Sequence, residues 1–245
     1  MAEATNHYFK HLGVSDGLSQ VCIPSIYQDE LGAVWLGTTE GLNRYNGKDV
    51  RVFQPSESNN GLTNNEVNEL CGDKNGRMYI RSGNDLIKLD IYTEQFTCLR
   101  QKGVYGLFCK KDTLWVSCAD GIYYYTGQGT ELTFFARVQK GFVGRALYVD
   151  KETVWVVTRK YLVAISREDP LRQEILLTLD KGNCILGDSS GNIWVGAWNG
   201  LYRVSPDRET TAYVSHSGMG ELSDNQVRCV LEDDFKHIWV GTFKG

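Results

Sequence analysis

Asp16 to Gly47 reads DGLSQVCIPSIYQDELGAVWLGTTEGLNRYNG, a run in which short apolar segments alternate with turn signals. Asp29-Glu-Leu-Gly32 fits a type I turn closed by a glycine at positive φ. Trp35 and Leu36 follow, and adjacent apolar residues point to opposite faces of a strand, so this strand is covered on both sides. The small Thr38 then suits a close approach between sheets, and Gly41 suits a turn into a further strand that begins near Leu42.

Working outward, the same pattern returns along the whole chain. Trp35, Tyr79, Trp115, Trp155, Trp194 and Trp239 are separated by 44, 36, 40, 39 and 45 residues, close to the roughly 40–45 residues of a four-stranded propeller blade. One position after each aromatic stands Leu36, Ile80, Val116, Val156, Val195 or Val240. Three positions after it stands the small Thr38, Ser82, Cys118, Thr158, Ala197 or Thr242. Six positions after it comes Gly41, Gly121, Gly200 or Gly245, with Asp85 and Tyr161 in the second and fourth copies. Asp73-Lys-Asn-Gly76 and Asp188-Ser-Ser-Gly191 repeat the first turn, and the lead-ins Gly17-Leu-Ser to Ile23, Gly61-Leu-Thr to Val67 and Glu221-Leu-Ser to Val227 repeat an inner strand.

The repeat predicts an all-β fold, a β-propeller of four-stranded antiparallel blades with no helix. Its copies fall at about 14–55, 61–100, 103–138, 142–179, 182–214 and 221–245. About six blades of a seven-bladed propeller are expected in one incomplete domain, the last stopping after its second strand at Gly245. Residues 7–13 (HYFKHLG) read as an outer strand without inner strands before it, suited to closing a last blade and removing an exposed edge.

Composition narrows the function. Of 245 residues, 42% are hydrophobic and 23% charged, and glycine (26) far outnumbers proline (4), which fits many tight turns. The net charge of −4 offers no field toward a phosphate backbone and excludes nucleic acid as the expected partner. No run approaches the ~18 apolar residues of a membrane span, and Met1–Lys10 lacks the basic and apolar regions of a signal peptide. Seven cysteines without a C-x-x-C pair indicate neither a disulfide framework nor a metal site, and in apolar runs such as NCIL and VRCVL they read as small buried hydrophobes. No metal or other cofactor is expected: His7, His11, His216 and His237 lack ligand spacing, a nucleotide loop and a phosphoacceptor helix.

With these residues in place, Asp16–Gly47 resembles the regulatory-propeller repeat of hybrid two-component sensors, roughly D-G-L-S-x-x-x-V-x-x-I-x-x-D-x-x-G-x-I-W-x-G-T-x-x-G-L-x-x-Y-D-G. The first, fifth and sixth copies match well (Trp35-Leu-Gly-Thr, Trp194-Val-Gly-Ala, Trp239-Val-Gly-Thr), the third fairly, and the second and fourth are degenerate. The resemblance implies the periplasmic sensor region of a Bacteroides-type histidine kinase. That region carries a second propeller, joins the membrane only through the parent chain, and acts as a homodimer that recognises oligosaccharide fragments. The matched residues have structural duties, so the motif does not supply the ligand.

Candidate ligand contacts lie in the turns between second and third strands: Thr39 and Glu40, Asn84, Asp120, Arg159 and Lys160, and Trp198 with Asn199. Trp198 stands outside the repeated tryptophan slot, where an indole either stacks on a sugar or packs against a neighbouring blade. Arg159 and Lys160 replace the usual turn residues of the fourth copy and could meet an anionic sugar or remain solvated. No catalytic residue is assigned. In a sialidase box one residue separates the aspartate from the glycine, whereas two residues separate Asp29, Asp73 and Asp188 from theirs, so they read as turn residues. A carbohydrate-active propeller enzyme and a plain interaction scaffold remain the alternatives to a sensor.

Overall fold

The computed structural model describes residues 11–55, 61–215 and 222–245. Among the described residues twenty-two strands form six antiparallel sheets, five of four strands and one of two. The first holds β1 (Ser25–Gln28), β2 (Val34–Thr38), β3 (Gly41–Tyr45) and β4 (Val50–Phe53). The second holds β5 (Val67–Gly72), β6 (Arg77–Ser82), β7 (Asp85–Asp90) and β8 (Gln95–Arg100). The third holds β9 (Val104–Lys110), β10 (Thr113–Cys118), β11 (Gly121–Tyr125) and β12 (Thr133–Ala136). The fourth holds β13 (Gly144–Val149), β14 (Thr153–Thr158), β15 (Tyr161–Ser166) and β16 (Gln173–Thr178). The fifth holds β17 (Cys184–Gly187), β18 (Ile193–Ala197), β19 (Gly200–Val204) and β20 (Thr210–Tyr213), and the sixth β21 (Val227–Glu232) with β22 (Ile238–Thr242). Within each four-stranded sheet the strands lie side by side in chain order, the meander of a β-propeller blade.

Two compact units divide the chain, Met1–Gly83 with Ile87–Thr97 and Asn84–Leu86 with Cys98–Gly245. The first has a core of Trp35, Leu42, Val67, Met78, Ile80 and Leu89. The second has two clusters, one around Trp115, Leu147, Val156 and Val163, the other around Trp155, Leu162, Val195 and Val204. Fully burying one such side chain contributes roughly 1.5–3 kcal/mol. The aromatic and its successor are both buried in the first four copies, and Val195 beside the half-buried Trp194 in the fifth, as two covered strand faces require. Trp239 is 62% exposed, in a sheet that has two strands among the described residues.

Several expectations are corrected. Gly17 to Ile23 is not a strand: β1 begins at Ser25, after Pro24, whose missing N–H cannot join a ladder. Val67 and Val227 do open β5 and β21. Two short 3₁₀ turns, Val14–Asp16 before β1 and Gln139–Gly141 between β12 and β13, leave the all-β fold unchanged. Only Cys118 among the seven cysteines is buried, its thiol pushed up to about 11 by burial; Cys22, Cys98 and Cys229 are exposed, because alternation sends every second side chain of an apolar run outward. Of the closing strand expected at 7–13, residues 7–10 lie outside the described residues and 11–13 have no regular structure.

The close approach expected at the small third position after the aromatic lies one residue earlier. A Cβ on Gly37 would stand 2.7 Å from the Val67 carbonyl oxygen, and one on Gly196 2.6 Å from a Val227 methyl. The third position instead latches the turn: Thr38 Oγ1 donates to the Gly41 carbonyl at 2.8 Å and accepts the Glu40 N–H at 3.0 Å, and Thr158 does the same with Tyr161 and Lys160. Gly41, Gly121 and Gly200 have φ of 114°, 156° and 136°, and a Cβ there would come within 2.5–2.7 Å of an outer-strand carbonyl.

Candidate functional site

In a four-stranded meander the strand direction alternates, so the turn between second and third strands shares an end with the linker into the next sheet. The first unit shows this at Glu40. It is exposed, and its carbonyl accepts Gln54 Nε2 at 3.3 Å from the start of the linker that follows β4. Thr39 and Glu40 belong to that unit; the other candidates belong to the second.

Within the second unit, hydrogen bonds tie successive turns and linkers together. The Ala119 N–H donates to the Gly103 carbonyl (2.8 Å), Leu179 to Lys160 (2.7 Å), Gly182 to Arg159 (3.1 Å), Trp198 to Asp180 (2.9 Å) and Phe243 to Gln226 (3.0 Å). The linker 179–182 thereby holds the Arg159–Lys160 turn on one side and the Trp198–Asn199 turn on the other. Asn199 Oδ1 accepts the Asp180 N–H (3.1 Å), and its Nδ2 donates to the Tyr202 hydroxyl (2.7 Å). The structure thus gathers Arg159, Lys160, Trp198 and Asn199 at one end.

Trp198 is half-buried and flanked by two cations, one of them on the neighbouring sheet. Lys181 Nζ lies 3.5 Å from its ring centroid and Arg228 Cζ 5.6 Å, and Arg228 also lies 5.2 Å from the Phe243 ring. Asp120 is committed elsewhere: Oδ1 accepts Arg100 at 2.7 Å and Oδ2 accepts the Tyr123 hydroxyl at 2.8 Å. Burial pushes the Asp120 carboxyl up, but these donors outweigh it and hold it below the ordinary carboxylate range.

Sequence reasoning missed a set of residues on the inner strands. The β9, β13 and β21 ladders each skip one residue near the start, Tyr105, Arg145 and Arg228, as β5 does at Asn68. These are β-bulges, which re-aim a side chain. A Cβ on Gly106 would lie 2.6 Å from the Arg145 carbonyl oxygen, so β9 and β13 approach as closely as glycine permits and bring Tyr105 beside Arg145. Around them a cleft of about 380 Å³ is lined by Tyr105, Phe142, Arg145, Thr158, Arg159 and Lys160, and a second of about 270 Å³ lies across Phe142, toward Asp120 and Arg137. A periodic signal was available: Asn68, Arg145 and Arg228 each stand five residues before the aspartate of their turn.

The repeat supplies the propeller scaffold, and the departures from it lie at the loop ends. Residues 221–244 match the family model described as two component regulator propeller. The extracellular domain of the hybrid two component system BT3049 from B. thetaiotaomicron superposes with a TM-score of 0.74 at 20% identity, over 96% of this chain and 40% of that one. A second extracellular domain from the same organism, that of BT4673, gives 0.65 at 16% identity, over 92% of this chain and 38% of that one. Virginiamycin B lyase from Staphylococcus aureus shares the fold at 12% identity, with a TM-score of 0.68 over 90% of this chain and 77% of that one. Histidine kinase P4 of Formosa agariphila is 38% identical over 53 residues, which are 22% of this chain and 4% of that protein. The chain has the β-propeller fold of these neighbours, and it spans less than half the length of these two-component relatives. Among the described residues no helix is long and apolar enough to cross a membrane.

Proposed function

We propose that this chain is a ligand-sensing, extracytoplasmic part of a two-component sensor histidine kinase, located in the periplasm, and that it recognises oligosaccharide fragments without catalysis. The supporting observation is the convergence of Trp198, Asn199, Arg159 and Lys160 on the linker 179–182, which sets an aromatic face beside hydrogen-bonding groups as a sugar requires. In this reading the parent chain contributes a second propeller, and ligand shifts a homodimer between two arrangements that the kinase reads across the membrane. Only a ligand that binds one arrangement better than the other can do so.

Calorimetric titration of the chain with a panel of oligosaccharides tests the reading. Saturable heat with every oligosaccharide recovered intact is the expected result. Cleaved or eliminated product would replace the sensor with an enzyme, and a panel without heat would leave an interaction scaffold.

A further inference from the structure

We infer that the loop end of the Cys98–Gly245 unit is built for an anionic saccharide, one bearing carboxylate or sulfate groups, with Arg145 and Arg228 as its charge-reading residues. The inference deepens the oligosaccharide reading and rests on it.

The first observation is charge. The chain as a whole is acidic, at −4, yet this end gathers Arg137, Lys140, Arg145, Arg159, Lys160, Lys181 and Arg228 on adjacent turns, linkers and strand starts. None of the seven takes part in an ion pair among the described residues. The acids nearby are few. Among the described residues Asp120 is held by Arg100 and Asp224 lies 3.5 Å from Lys244, while Asp85, which accepts the Lys102 N–H, and Asp180 have no ion pair. Unneutralised cations held by short turns repel one another, and an anion relieves that repulsion.

The second observation is aim. A bulge costs a ladder position, and in this unit three of the four inner strands spend that position on Tyr105, Arg145 and Arg228. Arg145 then lines the 380 Å³ cleft with Arg159, Lys160 and the faces of Tyr105 and Phe142. Arg228 lies between the rings of Trp198 and Phe243. A guanidinium held against an aromatic face keeps its edge donors for a carboxylate or sulfate, and the rings offer stacking surface to a pyranose. Cations alternating with aromatic faces match a sugar chain that carries charge at intervals, better than a neutral one.

The test is isothermal titration of the 245-residue chain with matched probes: tetragalacturonate against its fully methyl-esterified form, and a chondroitin sulfate tetrasaccharide against its desulfated form. A single-stranded DNA of equal charge serves as the polyanion control. At least one charged member is expected to bind about tenfold or more tighter than its neutral partner, and to weaken about tenfold as NaCl rises from roughly 50 to 500 mM. Arg145→Ala and Arg228→Ala are each expected to weaken it about fivefold or more with unchanged thermal unfolding, while Lys151→Ala, at the opposite end of β13, leaves it unchanged. Charged and neutral members binding alike would overturn the charge assignment and leave the oligosaccharide reading intact. DNA binding as tightly as the saccharide, with Trp198→Ala without effect, would make the end a general polyanion surface. Silence from all four saccharides would overturn both readings together.

Discussion

At the residue scale, one aspartate per turn does two jobs that the repeat pattern alone does not reveal. Asp29 Oδ1 accepts the N–H groups of Leu31 and Ala33, closing the turn, while Oδ2 accepts the Trp35 indole N–H at 2.7 Å. Asp188–Trp194 and Asp233–Trp239 repeat the bond at 2.8 Å, and Asp150–Trp155 makes it at 2.6 Å although its turn is one residue shorter. In the second copy, where Tyr79 replaces tryptophan, Asp73 pairs with Arg77 instead. Asp29 is 4% exposed, so losing a donor leaves a buried carboxylate oxygen short of a partner. Trp35→Phe should therefore cost about 2–4 kcal/mol in urea unfolding, adding lost packing to the lost hydrogen bond. Trp239→Phe, at an exposed indole, should cost clearly less; equal costs would show that the bond does not depend on burial.

At the element scale, the second strand of each sheet is fixed by what its neighbours leave no room for. Gly37→Ala would place a methyl 2.7 Å from the Val67 carbonyl, backbone that cannot yield, so the midpoint of denaturation should fall by the equivalent of about 2 kcal/mol or more. Gly47→Ala, at a positive φ but with open space around it, should cost about 1 kcal/mol from φ strain alone and serves as the comparison. The turn latch separates hydroxyl from size: Thr158→Ser should be tolerated, whereas Thr158→Val, nearly isosteric, should lose about 1–2 kcal/mol because it leaves the Lys160 and Tyr161 N–H groups unmet. The turns and most strand positions were legible from sequence, because glycine, aspartate and paired apolar residues report local geometry. The bulges were not, since a skipped ladder partner is a relation between two strands.

At the scale of the whole molecule, acid stability sums over the turns. Donors from Trp194 and Asn192 outweigh the burial that pushes Asp188 up and hold its carboxyl below the ordinary value of 3.8, and the Trp239 indole with His237 brings Asp233 down to about 2. A lowered folded pKa gives stability that is complete above the unfolded value and is lost as pH falls through the folded one. Unfolding free energy should thus be flat above about pH 5 and drop between about 4 and 2. Asp188→Asn should reduce that slope in a pH series of urea melts; an unchanged slope would place the acid sensitivity elsewhere. Asp90 and Asp120, also lowered, contribute in the same direction.

The amino-acid sequence by itself determined the period, the strand-turn alphabet and the turn positions of the repeated glycines and aspartates, because those depend on neighbours within a hairpin. It also marked Arg159, Lys160, Trp198 and Asn199 as departures from the repeat. Only the tertiary structure decided that these four share one end through the linker 179–182, that Lys181 and Arg228 lie against Trp198, and that bulges turn Tyr105 and Arg145 toward a common cleft. The physical reason is range: a turn is closed by atoms four residues apart, whereas the site is assembled from residues 105 to 243, which meet only when successive sheets stack.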